Sequence, residues 1–276
     1  MAFKISDIDE TQSPLLDHLV ELRTRLLRSI AALVVAFAIC FYFADDIFGF
    51  LVRPLTEAFP AGQGRLVYTK LYEAFFTEIK VALFAAFFLA FPIIANQMWA
   101  FVAPGLYAKE KKAFLPFLIA TPILFTMGAS LAYFVVMPMA FRWFLGFQGM
   151  SGGLKQEALP AMGDYLSLVM QFIFAFGASF LLPVLLMLLN RAGIVTRQQL
   201  SKARRYVIVG IAIVAAVITP PDIISQLMLG IPLLGLFEIS LLLMWRGEKK
   251  AAKEQARQAA ESTQAEADGT GSTASE

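Results

Sequence analysis

The sequence predicts an all-α integral membrane protein that crosses the bilayer six times and keeps both termini in the cytoplasm. Three observations carry this expectation. Hydrophobic residues make up 58% of the 276-residue chain and charged residues 16%, and the mean hydropathy is +0.68, values foreign to a soluble globular domain. The apolar residues gather into six segments, about 29–44, 75–97, 113–141, 165–190, 206–218 and 223–244. Seventeen of the 23 Lys and Arg fall in 1–28, 98–112, 190–205 and the stretch from Trp245, against five in 45–74 and 142–163. The positive-inside bias puts the richer set in the cytoplasm.

The first segment has a charged lead-in, residues 1–28. Ser13 followed by Pro14 reads as an N-cap and a first helical position. Leu15, Leu19, Leu22 and Leu26 then form one helical stripe. Asp17 and Glu21 sit four apart on another face, and Arg25 follows Glu21 at the next such step. No Gly or internal Pro interrupts the run from Ser13 to Ala44. That helix is about 48 Å long, against a hydrocarbon core of ~30 Å. Its first turns therefore stand in water and present carboxylates there. No small-x-small cleavage pattern follows and more apolar segments do, so the first segment is a retained span.

The second segment carries Glu78 and Lys80 near its start. The third is charge-free and over-long, and it must tilt or kink at Pro116, Pro122 or Pro138. The fourth is also charge-free and contains Pro183. The fifth is about 20 Å long as a helix and requires a thinned bilayer or longer neighbours. The sixth contains Glu238. Residues 29–246 thus form the membrane domain. The tail, 247–276, is rich in Ala, Glu, Gln, Ser, Thr and Gly without an apolar period, and it is expected to be disordered or a fraying helical extension.

The same residues exclude several function classes. A net charge of +2 supplies no basic field for nucleic acid. A single cysteine, Cys40, excludes an internal disulfide framework and a multi-Cys metal cluster, and a single histidine, His18, excludes paired-His metal sites. No phosphate-binding lysine loop, nucleophile elbow or His-Glu-x-x-His is present. The chain of intramembrane acids expected of an ion pump is missing as well. Neither an enzyme nor a cofactor is expected, and a receptor or scaffold fits better than a six-span solute or ion transporter.

Two carboxylates stand out as binding candidates. Glu21 and Glu110 are both assigned to the cytoplasmic side, where they can accept guanidinium groups through charge-assisted bonds. The alternative pairs Glu21 with Arg25, and Glu110 with Lys111 or Lys112, as ordinary surface charges. Asp222, in TPPDIISQ, either serves a partner or caps the sixth helix. Thr219 and Gln226 lie at the ends of short spans, where they can bond a partner helix or pack internally. Glu238 is an acid inside an apolar run, with snorkelling to the nearby boundary as the competing reading. Pro54 reads as a turn-former in an outer loop, and Phe101 as an interface aromatic.

Taken in order, LLDHLVELRTRLLRS, VRPL, FFTEIKVAL, FPIIANQMWAFVAPGLYAKEKK, GASLAYFVVMP, DYLSLVM, FGASFLLPV, ITPPDIISQ and IPLLGLFEI resemble the TatC family. That family is the multispanning receptor subunit of the twin-arginine protein export system. The resemblance covers about residues 13–246. It implies a six-helix, cup-shaped protein of the cell inner membrane that binds twin-arginine signal peptides of folded proteins. It also implies work with the single-span TatA and TatB subunits, self-association in a receptor complex, and transport driven by the proton-motive force. By position, Glu21 and Glu110 match the signal-recognition carboxylates, with Arg23 and Phe101 beside them. Pro54 and Phe75 match sensitive outer positions, and Asp222 and Gln226 match the outer turn and partner-contact region. One departure stands out. Where the family often has an acid before the fourth-span proline, this chain has Leu181.

Overall fold

The computed structural model describes residues 9–59, 64–106, 115–151, 154–191, 193–219 and 222–271. Ten α-helices appear among them: α1 (Asp9–Tyr42), α2 (Ala44–Thr56), α3 (Glu73–Leu106), α4 (Leu115–Leu131), α5 (Met137–Leu145), α6 (Met162–Ser179), α7 (Leu182–Arg191), α8 (Arg197–Lys202), α9 (Arg204–Ile218) and α10 (Ile223–Gly271). A π-helical turn, Ala132–Val136, joins α4 to α5, and a short antiparallel hairpin, β1 (Gly149–Ser151) with β2 (Leu154–Gln156), precedes α6. Five stretches are long and apolar enough to cross a membrane: His18–Tyr42, Glu73–Phe101, Phe117–Leu145, Met162–Arg191 and Ile223–Lys249. These overlap five of the six expected segments. The other, 206–218, lies in α9, whose 15 residues reach only about 22 Å.

The chain divides into two compact units, one drawn from Met1–Leu181 and Ala215–Leu229, the other from Leu182–Val214 and Gly230–Glu276. The first unit is organised by small residues. Ala82, Ala86 and Ala90 recur every four residues on α3 and bury against Ala36 and Cys40 of α1. Lipid tails are as apolar as leucine, so membrane helices associate through close packing, and alanine lets the backbones approach. Gly128 of α4 and Gly177 of α6 serve the same purpose. A Cβ on Gly128 would collide with the Phe176 carbonyl, and one on Gly177 would come within 2.8 Å of the Phe125 ring. Phe125 in turn stacks on Phe91 of α3 at 4.0 Å between centroids. Trp99 Nε1 donates to Thr121 Oγ1 at 2.8 Å, tying α3 to α4.

In the second unit, Leu200, Phe237, Leu241 and Met244 are buried together against Leu182, Leu186, Met187, Val195 and Val207. Thr196 caps α8 through a reciprocal pair of bonds with Gln199, the arrangement that satisfies two free N–H groups at once.

Several local expectations change. α1 begins at Asp9, ahead of Ser13, so Pro14 lies inside the helix. At the sixth helical position its missing N–H leaves the Glu10 carbonyl without the usual helical donor. Leu19, Leu22 and Leu26 of the expected stripe are exposed. Pro54 is not in a loop: it is buried within α2. The over-long third segment adjusts through the π turn, where the Met137 N–H reaches Ala132 O. Pro138 follows at once, and a proline cannot donate to the ordinary ladder. The fourth segment breaks at Phe180–Leu181, between α6 and α7, because Pro183 cannot bond the carbonyl of Ser179. In the tail, for which disorder or a fraying helical extension is expected, α10 continues to Gly271. Its Ala, Glu, Gln, Lys and Arg residues are strong helix formers even without an apolar face.

Candidate functional site

The residues expected to serve recognition gather where α1 passes the end of α3. Glu21 Oε1 accepts from Arg25 Nε at 2.9 Å and also from Arg25 Nη2. This is the helical i,i+4 pair legible in the sequence. Glu21 Oε2 lies 3.9 Å from His18 Nδ1. The His18 ring stacks on Phe101 at 4.3 Å and 16° between planes. The structure therefore brings Glu21 and Phe101 together through His18, a residue whose solitary occurrence in the sequence speaks only against metal sites. One carboxylate oxygen is engaged by Arg25, and the other accepts no hydrogen bond among the described residues. Such a group suits a planar guanidinium, which offers two parallel N–H bonds. Arg23 is exposed on the same helix. Glu110 lies outside the described residues.

The other end of α3 is built differently. Pro54 has no N–H, so the carbonyl of Phe50, four residues earlier, lacks its helical donor. The Tyr133 hydroxyl fills that vacancy, donating to Phe50 O at 2.6 Å while its ring stacks on the Phe50 ring at 4.4 Å. Tyr165 OH donates to the next carbonyl, Leu51 O, at 2.9 Å. Glu73, the first residue of α3, closes the same region. Its Oε2 accepts from Thr69 N, Thr69 Oγ1 and Lys70 N at 2.8, 3.1 and 3.3 Å. Its Oε1 accepts from Gly163 N, at the start of α6, at 2.9 Å. Two backbone bonds reinforce this, Met162 N to Val67 O at 2.8 Å and Val67 N to Pro160 O at 3.2 Å. Phe75 follows two residues after Glu73, 56% exposed, with its ring 5.7 Å from that of Phe76.

Sequence reasoning does not single out Glu73, Tyr133 or Tyr165. Pro54 is the available signal, since a proline within a helix implies a carbonyl needing an outside donor. Nothing in the sequence names which hydroxyl supplies it.

The remaining candidates are largely satisfied by their own helices. Thr219 is buried and donates to Ala215 O at 2.9 Å. Asp222 caps α10, with Oδ2 accepting from Ser225 N at 2.6 Å. Its Oδ1 and the Ser225 hydroxyl are buried without a hydrogen-bond partner among the described residues. Gln226 N bonds Asp222 O at 3.2 Å, within the first turn of α10. Gln171 Nε2 of α6 donates to Ile218 O at 2.9 Å, holding the end of α9. Glu238 pairs with Arg204 Nη2 at 2.9 Å, so this acid has a cation of its own. Leu181 is half-buried in the turn between α6 and α7.

These features define a multi-pass helical membrane protein with an arginine-paired carboxylate at one end of α3 and a four-bond carboxylate clamp at the other. The family model described as Sec-independent protein translocase protein (TatC) matches residues 17–232. The chain is 48% identical over 252 residues to the TatC protein of Magnetococcus marinus, covering 91% of each. It is 41% identical to that of Escherichia coli K12 over 234 residues, 85% of this chain and 88% of that one. A crystal structure of a twin-arginine translocase receptor, TatC, matches with a TM-score of 0.71 and 39% identity, covering 82% of this chain and 99% of that one. The chain belongs to the TatC family. It is a non-enzymatic component of a Sec-independent protein translocase.

Proposed function

We propose that this chain is the receptor and core scaffold of its translocase, binding twin-arginine signal peptides of folded proteins. The observation that carries this reading is the Glu21 carboxylate, with one oxygen accepting no hydrogen bond among the described residues and Phe101 held beside it through His18. Glu110 supplies the second carboxylate and Arg23 flanks the first. Transport proceeds across the cell inner membrane and is driven by the proton-motive force.

The chain crosses that membrane six times in the cup-shaped arrangement that the family resemblance implies. α9 serves as the short fifth span, and 1–28 and 247–276 are cytoplasmic. The seventeen-to-five distribution of Lys and Arg supports this orientation. Partners are the single-span TatA and TatB subunits and further copies of the chain. The 219–226 turn, with Asp222 and Gln226, is the partner contact. Exposed Val217, Ile223 and Leu227 around it support that reading. The exposed Phe75 completes the outer contact surface, while Pro54, buried in α2, acts from within the fold.

The test is capture of a twin-arginine peptide by the purified protein. Replacing both peptide arginines by lysines removes the planar fork, and losing one charged hydrogen bond weakens binding at least about tenfold. Glu21→Lys and Glu110→Lys should abolish capture while leaving membrane insertion intact. If both variants capture the peptide as the wild type does, the reading fails.

A further inference from the structure

At the Glu73 end of α3, a cavity of about 440 Å³ opens beside the clamp, whose residues Thr69, Glu73 and Gly163 form part of its wall. Lys70 and Tyr72 line it from the segment before α3, Thr77 and Lys80 from α3, and Asp164 and Ser167 from α6. Glu73, Thr77 and Lys80 follow one another at i, i+4 and i+7, a single stripe of the helix. Thr77 is only 3% exposed and lines the cavity. The Lys80 ammonium and the Asp164 carboxylate make no ion pair or hydrogen bond among the described residues. Charged side chains of both signs thus converge on one cavity beside two apolar spans, a place where polar groups mark a candidate ligand site.

The charges can be assigned one by one. Glu73 keeps its negative charge but has both oxygens filled by four hydrogen bonds. The lining thus carries two ammonium and two carboxylate groups, a balance suited to a zwitterion, and only some of its groups are free to bind. Two helices begin at the cavity, each adding about half a positive charge at its N-terminus. What remains is two ammonium groups, Lys70 and Lys80, one buried hydroxyl, and one free carboxylate, Asp164. The first three suit a phosphate, and the last suits a primary ammonium attached to it. Both α3 and α6 start here and both lie in membrane-crossing stretches, so the cavity sits at the boundary where lipid head groups lie. Lys80 is about 10 Å along α3 from Glu73, and its long stem lets the charge reach back to that layer.

We propose that this cavity holds the head group of a zwitterionic phospholipid bearing a primary amine. Lys70 and Lys80 take the phosphate, Thr77 donates a hydrogen bond to it, and Asp164 accepts from the ammonium. An anionic head group without an amine leaves Asp164 repelling it, and a quaternary amine has no N–H to donate. The inference rests on the membrane placement of α3 and α6 and is independent of peptide recognition and of which leaflet is involved.

The test offers the delipidated full chain equimolar phosphatidylethanolamine, phosphatidylcholine and phosphatidylglycerol, and measures retained lipid by native mass spectrometry. Phosphatidylethanolamine should be retained about tenfold over each of the others, the factor one charged hydrogen bond supplies. Lys80→Gln should lose that retention. Asp164→Asn should lose the preference between head groups while keeping lipid bound. Both side chains are exposed and unpaired, so the fold does not depend on them. Acyl-free glycerophosphoethanolamine should compete, and its failure to do so would assign the binding to acyl chains and overturn the proposal. Equal retention of all three lipids, a preference for phosphatidylglycerol, or unchanged retention by both variants would overturn it too. Capture of a twin-arginine peptide by the same samples reports on the receptor reading separately.

Discussion

Beside the Phe101 end of α3, Glu21 is bonded to an arginine one helical turn away and has one oxygen that accepts no hydrogen bond among the described residues. At the other end, Glu73 has both oxygens filled by four bonds, one of them from Gly163, which is 90 residues further along the chain. The first arrangement is local and made of charged side chains, so a competing guanidinium can displace Arg25 at little expense. The second satisfies backbone N–H groups that have no substitute acceptor, so it fixes the chain path. One carboxylate is placed to change partners and the other to keep them.

The rigid end should show the largest response to substitution. Glu73→Ala removes all four bonds and should lower the thermal unfolding midpoint more than Gly163→Ala, Tyr133→Phe or Arg25→Ala. Gly163→Ala should give a smaller drop of the same kind, because the new Cβ would sit 2.9 Å from Glu73 Oε1. A Glu73→Ala protein that melts like the wild type would remove the distinction between the two ends.

A second test uses the proline. Tyr133→Phe leaves Phe50 O without its donor and should destabilise by about 1 kcal/mol. Pro54→Ala restores a backbone N–H to the same carbonyl, so Tyr133→Phe should be nearly neutral in that background. A double-mutant cycle of denaturation measurements reads this coupling directly. Additive effects would show that the tyrosine does not stand in for the missing N–H.

The exchangeable end should respond least in stability. Arg25→Ala removes a partly exposed helical ion pair worth about 0.3–0.5 kcal/mol. On the proposed reading that pair competes with the peptide, so affinity for a twin-arginine peptide should rise about twofold, the same free energy expressed as a ratio. Weaker binding would make Arg25 part of the receptor surface instead of a competitor.

How far the sequence can be read follows the same division. The Glu21–Arg25 pair and the Asp222 cap are contacts within one turn, and spacing alone exposes them. The apolar segments are equally plain, because hydropathy is a property of composition. The bonds from Tyr133 to Phe50 and from Gly163 to Glu73 join residues 83 and 90 positions apart, and no local period encodes such partners. Pro54 reads wrongly as a loop residue because proline usually marks a turn, whereas here a distant hydroxyl compensates for it inside a helix. The seam of Ala82, Ala86 and Ala90 is hidden for a related reason: in a segment apolar all round, no polar face points to the buried one. The helical tail shows the converse, since helix formers without an apolar stripe give no sign of packing yet still favour a helix.

The most direct test measures peptide affinity and thermal midpoint side by side for Glu21→Gln and Glu73→Gln. Glu21→Gln should weaken twin-arginine peptide binding at least about tenfold and leave the midpoint where it is in the wild type. Glu73→Gln should lower the midpoint and, well below it, bind the peptide normally. Loss of peptide binding in Glu73→Gln with Glu21→Gln unaffected would contradict the account, as would equal destabilisation by the two substitutions.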